Sequence, residues 1–345
     1  MTSFETQPVC IVGMHRSGTS MVSRLLNLCG LDLGRPYELT EANKNNPVGY
    51  FENKAFNKIN RALLSHLGKN WDNPPAIGDG WEADPALVSL AEEGRRVIES
   101  FAGSPHWGWK DPKTTVVLPF WQRLLPVMRY VVCLRNPLDV ANSLLKRNGF
   151  PVEHGAYLWH HYTRAAIRYT EGHRRIFAFY EDFFNDGAAE LERLAAFCGL
   201  GEAGDRSGAL ETILPDLRHH RDETSRLLDH PQIAAEHKLF YLGLRALVAG
   251  ASANSGGESD REAAVSVRVG RLARLFDALR DQQPIAGLES ELVEKEQRLR
   301  ELHAKLQRLE QAATESRRGL GFKLTAALAR IFGTGESPSG ARKRS

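Results

Sequence analysis

The sequence predicts an α/β protein of three layers, a central parallel sheet flanked by helices, with a C-terminal helical and coiled-coil extension. Four short apolar runs, at 9–14, 106–110, 130–134 and 175–180, read as buried strands. Each is accompanied by a helical pattern, at 17–29, 113–125, 137–147 and 188–198. Strands alternating with helices build a parallel sheet covered on both faces. The third observation is local. The first run enters Gly13-Met14-His15-Arg16-Ser17-Gly18-Thr19-Ser20 and then a helix, a P-loop-like order of strand, tight turn and helix start.

That first turn points several backbone N–H groups at one spot, and the helix dipole adds partial positive charge there. His15, Arg16, Ser17, Gly18, Thr19 and Ser20 are therefore the expected anion cradle, with Gly18 admitting a close backbone approach and the hydroxyls donating to oxyanion oxygens. The spacing is that of a Walker A loop, except that Thr19 stands where the lysine belongs. A nucleotide-hydrolysing loop needs that lysine on its terminal phosphates. Arg16 is the cation inside the loop that could take its place.

At the third strand the chain leaves into Leu134-Arg135-Asn136-Pro137-Leu138-Asp139-Val140-Ala141-Asn142-Ser143-Leu144. A guanidinium at a strand's carboxyl end can grip a phosphate bidentately, and Pro137 suits a helix start. Ser143 follows far enough along that helix for its hydroxyl to reach the same anion. The alternative for Arg135 is a salt bridge to a neighbouring carboxylate.

After the fourth run, Phe179-Tyr180-Glu181-Asp182-Phe183 leads into a further helix. Taken together, the three segments resemble the nucleotide-dependent sulfotransferases, and phrases such as NPVGYFEN and WGWKDPKT look like the bacterial branch. The resemblance runs over about residues 8–200. It implies that 15–20 hold the 5′-phosphosulfate of 3′-phosphoadenylyl sulfate (PAPS), that Arg135 and Ser143 hold its 3′-phosphate, and that Tyr180 lies near the adenine. It implies an enzyme, a PAPS-dependent sulfotransferase. The basic C-terminal cofactor loop of the cytosolic animal enzymes is not evident.

Sulfuryl transfer passes through a loose transition state with charge on the leaving oxygen, so it needs cations there and a base on the acceptor hydroxyl. Arg16 and Lys110 are the candidate cations; pairing with Asp111 is the structural alternative for Lys110. Glu52 is the candidate base, with Glu38, Glu41, Asp111 and His15 as alternatives. No metal is expected: His160-His161 and His219-His220 are adjacent pairs that point different ways on regular structure.

The remaining composition bounds the partners. Forty-five basic and 42 acidic residues give a net charge of +3, too balanced to attract nucleic acid in bulk. Cys10, Cys29, Cys133 and Cys198 are scattered among apolar neighbours and read as buried hydrophobes in a reducing compartment. No apolar stretch is long enough to span a bilayer, and the start lacks a signal-peptide pattern. The expectation is a cytoplasmic protein, in contact with the inner face of the membrane if its tail binds there.

Residues 1–250 carry all six tryptophans and form the expected catalytic domain. A small-polar linker, 251–262, is followed by a helical region, 263–318, and by an amphipathic segment with a basic tail, 319–345. Leu292, Lys295, Leu299, Leu302, Leu306, Leu309 and Ala313 form a heptad seam, so a homodimer or docking to a biosynthetic assembly through 284–318 is expected. Lys323 and Arg330 suit weak peripheral membrane contact.

Trp71, Trp81, Trp107 and Trp109 suit either core packing or the faces of sugar rings. The fragment 319–332 resembles terminal segments of bacterial cell-surface glycosyltransferases. The acceptor expected is thus a carbohydrate hydroxyl of a surface glycan or its precursor. Against this stand a P-loop kinase or NTPase, disfavoured by Thr19, and a non-catalytic coiled-coil adaptor.

Overall fold

A computed structural model describes residues 7–42, 49–201, 204–213, 224–249 and 258–281. Along the chain it contains β1 (Val9–Gly13), α1 (Thr19–Leu28), α2 (Lys54–His66), α3 (Val88–Glu99), β2 (Gly108–Lys110), α4 (Leu118–Leu124), β3 (Arg129–Leu134) and α5 (Pro137–Asn148). There follow α6 (Val152–Tyr169), β4 (Arg175–Phe179), α7 (Phe183–Cys198), α8 (Arg206–Glu211), α9 (Thr224–Asp229), α10 (Ala235–Ala249) and α11 (Glu258–Asp281). Two compact units, Met1–Phe276 and Asp277–Ser345, divide the chain, and all these elements except the last turn of α11 lie in the first.

The described strands form one parallel sheet in the order β2-β1-β3-β4. The chain passes from β1 to one side and then crosses to the other, so the topological switch lies between β1 and β3. Open α/β sheets bind ligands at the carboxyl ends of the strands at such a point. The in-register pairing of Gly13 with Cys133 brings the two strand ends level there.

Alternation along each strand divides the core in two, since successive side chains point to opposite faces. Cys10, Val12, Tyr130, Val132, Leu134, Phe177 and Phe179 face one layer with Trp107, Trp109, Trp121 and Trp159. Val9, Ile11, Val131, Cys133, Ile176 and Ala178 face the other, against α1 and α7. The three layers expected from the sequence are present. All four cysteines are buried and unbridged, and burial lifts Cys198 to about 12, so they serve as apolar filling.

Two expectations, the helix over 113–125 and the linker boundary, need correction. The helix expected over 113–125 is broken into a 3-10 segment, Pro112–Val116, and α4; Pro119, at the start of α4, cannot donate to a preceding turn. Of the two readings open for Trp107 and Trp109, core packing is the one observed, at 1 % and 0 % exposure. The domain and linker boundaries also shift. Residues 258–262 open α11, whose Val265, Val269 and Ala273 are buried. Arg175 donates to the Ser266 hydroxyl at 2.7 Å and the Ser266 carbonyl at 2.8 Å. This stripe and clamp carry the first unit to Phe276 rather than 250. Residues 251–257, the seam at 284–318, the segment 319–345 and His219-His220 lie outside the described residues.

Among the described residues no helix is long and apolar enough to cross a membrane.

Candidate active site

The loop after β1 makes its turn with a non-glycine residue in the left-handed region: Arg16 has φ 71°. Only Phe51, at φ 54°, shares that conformation among the described non-glycine residues. Each such residue costs on the order of 1–2 kcal/mol, a strain that collects at functional sites. Both flank the site. Gly18, at φ 84°, caps α1 without any side-chain capping bond, so the first N–H groups of the helix face the loop. A Cβ on Gly18 would meet Tyr180 Cδ2 at 2.5 Å. The loop backbone is therefore pressed against the Tyr180 ring.

The second strand end closes on this turn. Asn136 caps α5, accepting from Leu138 N at 2.9 Å, and Pro137 opens the helix. This sets Ser143 on the helix face towards the loop, where its hydroxyl accepts from Arg16 Nε at 2.7 Å. Arg135 Nη1 donates to the Arg16 carbonyl at 3.1 Å, and its guanidinium carbon lies 4.1 Å from the Tyr180 ring centre. Asp139 stands 3.6 Å from Arg135 Nε, the salt bridge foreseen as the alternative. Burial, then Arg147 and Arg135, lower the pKa of Arg16. Like charges gathered this closely mark a place for an anion.

Two buried polar atoms support the same reading: Ser17 Oγ and Arg135 Nε have no hydrogen-bond partner. Buried groups left unsatisfied are expensive, and an oxyanion at the turn would satisfy them. The residues present thus fit a ligand that carries oxyanion groups.

Lys110 ends β2 and is 1 % exposed. Its ammonium donates to Ser20 Oγ at 3.2 Å and to Glu52 Oε1 at 2.9 Å. Asn57, one turn into α2, donates to the other oxygen, Glu52 Oε2, at 3.0 Å. The cation missing from the loop itself is thus delivered to the first turn of α1 from the neighbouring strand. Arg16, the sequence's other candidate for that place, has its guanidinium on Ser143 beside Arg135.

Each alternative base has another engagement. Asp111 pairs with Lys113 at 2.8 Å, caps the segment that follows β2 and accepts from Asn60 at 3.0 Å. Glu38 accepts from Arg35 N at 2.7 Å, and Glu41 lies 3.6 Å from Lys54. His15 stands edge-on to Trp71, ring centres 4.8 Å apart, and burial, followed by Lys113 and Arg147, pushes its pKa well down.

Glu52 and His15 open onto a cavity of about 610 Å³, also lined by Asn57, Arg61, Lys69 and Trp71. Sequence reasoning missed Asn57, Arg61 and Lys69. The signal was available: Phe56, Ile59, Leu63 and Leu64 have helical spacing after Asn53, an N-cap residue. That pattern places Asn57 and Arg61 away from the deepest core. Among the described residues, no cluster of His, Cys, Asp or Glu could hold a metal; His160 packs on His237 and Phe240, and His161 bonds the Pro75 carbonyl.

A parallel sheet with an uncapped helix start and clustered arginines at its switch point defines an α/β protein built to hold an anion between two strand ends. A model described as the Sulfotransferase family matches residues 8–203. That is more than half of the chain, and the chain belongs to this family.

Among solved structures, the chain is similar to sulfotransferase STF1 of Mycobacterium tuberculosis, with 13% identity over 60% of this chain and 71% of that one and a TM-score of 0.35. Sulfotransferase STF9 of Mycobacterium avium shows 15% identity over 63% and 69%, with a TM-score of 0.38. The sulfotransferase domain of the Synechococcus PCC 7002 olefin synthase shows 16% identity over 80% and 98%, with a TM-score of 0.33. No curated protein sequence matches the chain at a significant level.

Proposed function

We propose that this sulfotransferase moves a sulfuryl group from 3′-phosphoadenylyl sulfate to a carbohydrate hydroxyl of a surface glycan or its precursor. The observation that carries the donor is the joining of two loops into one anion site: Arg16 Nε on Ser143 Oγ at 2.7 Å and Arg135 on the Arg16 carbonyl at 3.1 Å. A nucleotide with phosphate groups at both ends of its ribose suits such a two-part site. Residues 15–20 hold the sulfate-bearing end; Arg135, Ser143 and Arg16 hold the other phosphate, with Tyr180 beside the base.

The bound donor supplies an activated sulfuryl group on a phosphate leaving group. Glu52 takes the proton of the acceptor hydroxyl, whose oxygen bonds to sulfur as the bond from sulfur to the nucleotide's bridging oxygen breaks. Lys110, with Ser20 and the N-terminus of α1, neutralises the charge left on that oxygen. Pre-set donors at a developing charge contribute on the order of 10²–10³ in turnover. The carbohydrate acceptor is supported by Trp71, whose partly buried ring borders the cavity beside Glu52. A cytoplasmic location and pairing of two copies through 284–318 complete the reading.

Thermal denaturation with adenosine 3′,5′-bisphosphate tests it. At 100 times Kd a ligand stabilises by about 2.7 kcal/mol, a rise of roughly 4 °C for a chain this size, and it should appear without magnesium. A rise with ATP and magnesium but none with the bisphosphate would overturn the donor assignment.

A further inference from the structure

The cavity beside Glu52 carries more positive charge than the proposed reaction uses. Arg61, Lys69, Lys113 and Arg147 line it, against one carboxylate, Glu52. Glu52 is already paired with Lys110, and Lys113 with Asp111. Arg147 lies over Trp71, 5.6 Å from the ring centre. Arg61 and Lys69 belong neither to the loops that join at the switch point nor to any ion pair among the described residues.

The placement is ordered. Asn57, Arg61, Leu64 and Ser65 line the cavity from one face of α2, the spacing i, i+4, i+7, i+8. Asn57 holds Glu52, and Arg61 stands one helical turn, about 6 Å along the axis, beyond Asn57. Lys69 follows just beyond the helix end, and Trp71 lines the same cavity. A ring in this cavity with its hydroxyl at Glu52 thus shares the space with two cations, Arg61 and Lys69.

Resting on the reaction proposed above, we infer that the acceptor is itself anionic: a hydroxyl-bearing ring with a carboxylate or phosphate ester held by Arg61 and Lys69. A neutral glycan would leave those two cations to solvent, whereas an acid gains charge-assisted hydrogen bonds to both. Transfer to such a compound moves the hydroxyl proton to Glu52 and leaves the acid group unchanged.

The test uses the full chain with 3′-phosphoadenylyl sulfate and matched acceptors: p-nitrophenyl glucoside, p-nitrophenyl glucuronide and p-nitrophenyl glucoside 6-phosphate. Product is read by mass, and equilibrium binding of each acceptor is measured in the presence of adenosine 3′,5′-bisphosphate. One or both acids should exceed the neutral glucoside by about 10–100-fold in kcat/KM or in affinity; which acid wins separates carboxylate from phosphate. The Arg61→Ala and Lys69→Ala variants should bring that ratio towards one, without loss of bisphosphate affinity, which also reports that they fold. Equal treatment of acid and neutral compounds, in turnover and in binding, would overturn the inference, as would variants that leave the preference intact. Failure to bind the bisphosphate at all would instead overturn the donor assignment.

Discussion

Lys110 leaves β2 almost wholly buried, its ammonium shared between the Ser20 hydroxyl and the Glu52 carboxylate. Removing one partner of a buried ion pair costs about 3–5 kcal/mol, because the other charge is stranded. Lys110→Ala should therefore lower the midpoint of chemical denaturation and, in whatever fraction folds, cut turnover by at least about 100-fold, with the affinity for adenosine 3′,5′-bisphosphate little changed in calorimetry. Wild-type turnover would remove Lys110 from the mechanism. Glu52→Gln keeps the shape and the bond from Asn57 but cannot take a proton; single-turnover rates should fall about 10²–10⁴-fold. Both residues were legible as chemistry-bearing types near strand and helix ends. Their pairing was not, since 58 positions separate them.

At the scale of elements, the turn between β1 and α1 depends on one glycine. Gly18→Ala puts a methyl group into the Tyr180 ring at a left-handed backbone position, costing on the order of 1–2 kcal/mol for the conformation alone. The ring is also the platform for Arg135. Gly18→Ala should thus weaken bisphosphate binding by more than tenfold while the folded signal in circular dichroism persists; unchanged affinity would show that the loop tolerates the displacement. The strands were legible because each is a short apolar run between turn signals. The end of the first unit was not. Residues 258–262 are small and charged, as linkers are, and only the burial of Val265 and Val269 shows that they begin a packed helix.

Across the whole molecule, charge from several elements converges on His15: Lys113 after β2, Arg147 on α5, Lys110 on β2 and Arg16 in its own loop. Together with burial, they hold its folded pKa well below the ordinary 6.5. The unfolded chain then binds the proton more readily, so stability from this residue is complete above about pH 6.5 and declines as pH falls, until the folded ring takes up a proton itself. The slope is at most about 1.4 kcal/mol per pH unit. Urea titrations between pH 7.5 and 5 should show this decline, and His15→Asn should flatten it; an identical slope in the variant would show that other groups set the acid limit.

The order of strands and helices, the glycine turn, Arg135 and Ser143 after β3, and the burial of the cysteines follow from the sequence alone. These are local patterns of polarity, spacing and turn chemistry, and a short stretch of chain is enough to specify them. Which cation stands at the first turn of α1, which carboxylate it holds and how many positive charges line the cavity were decided only in the tertiary structure. Those relations join residues from β2, α2, α5 and the loop after β1, and the parallel register that brings the strand ends level is what sets the distances between them.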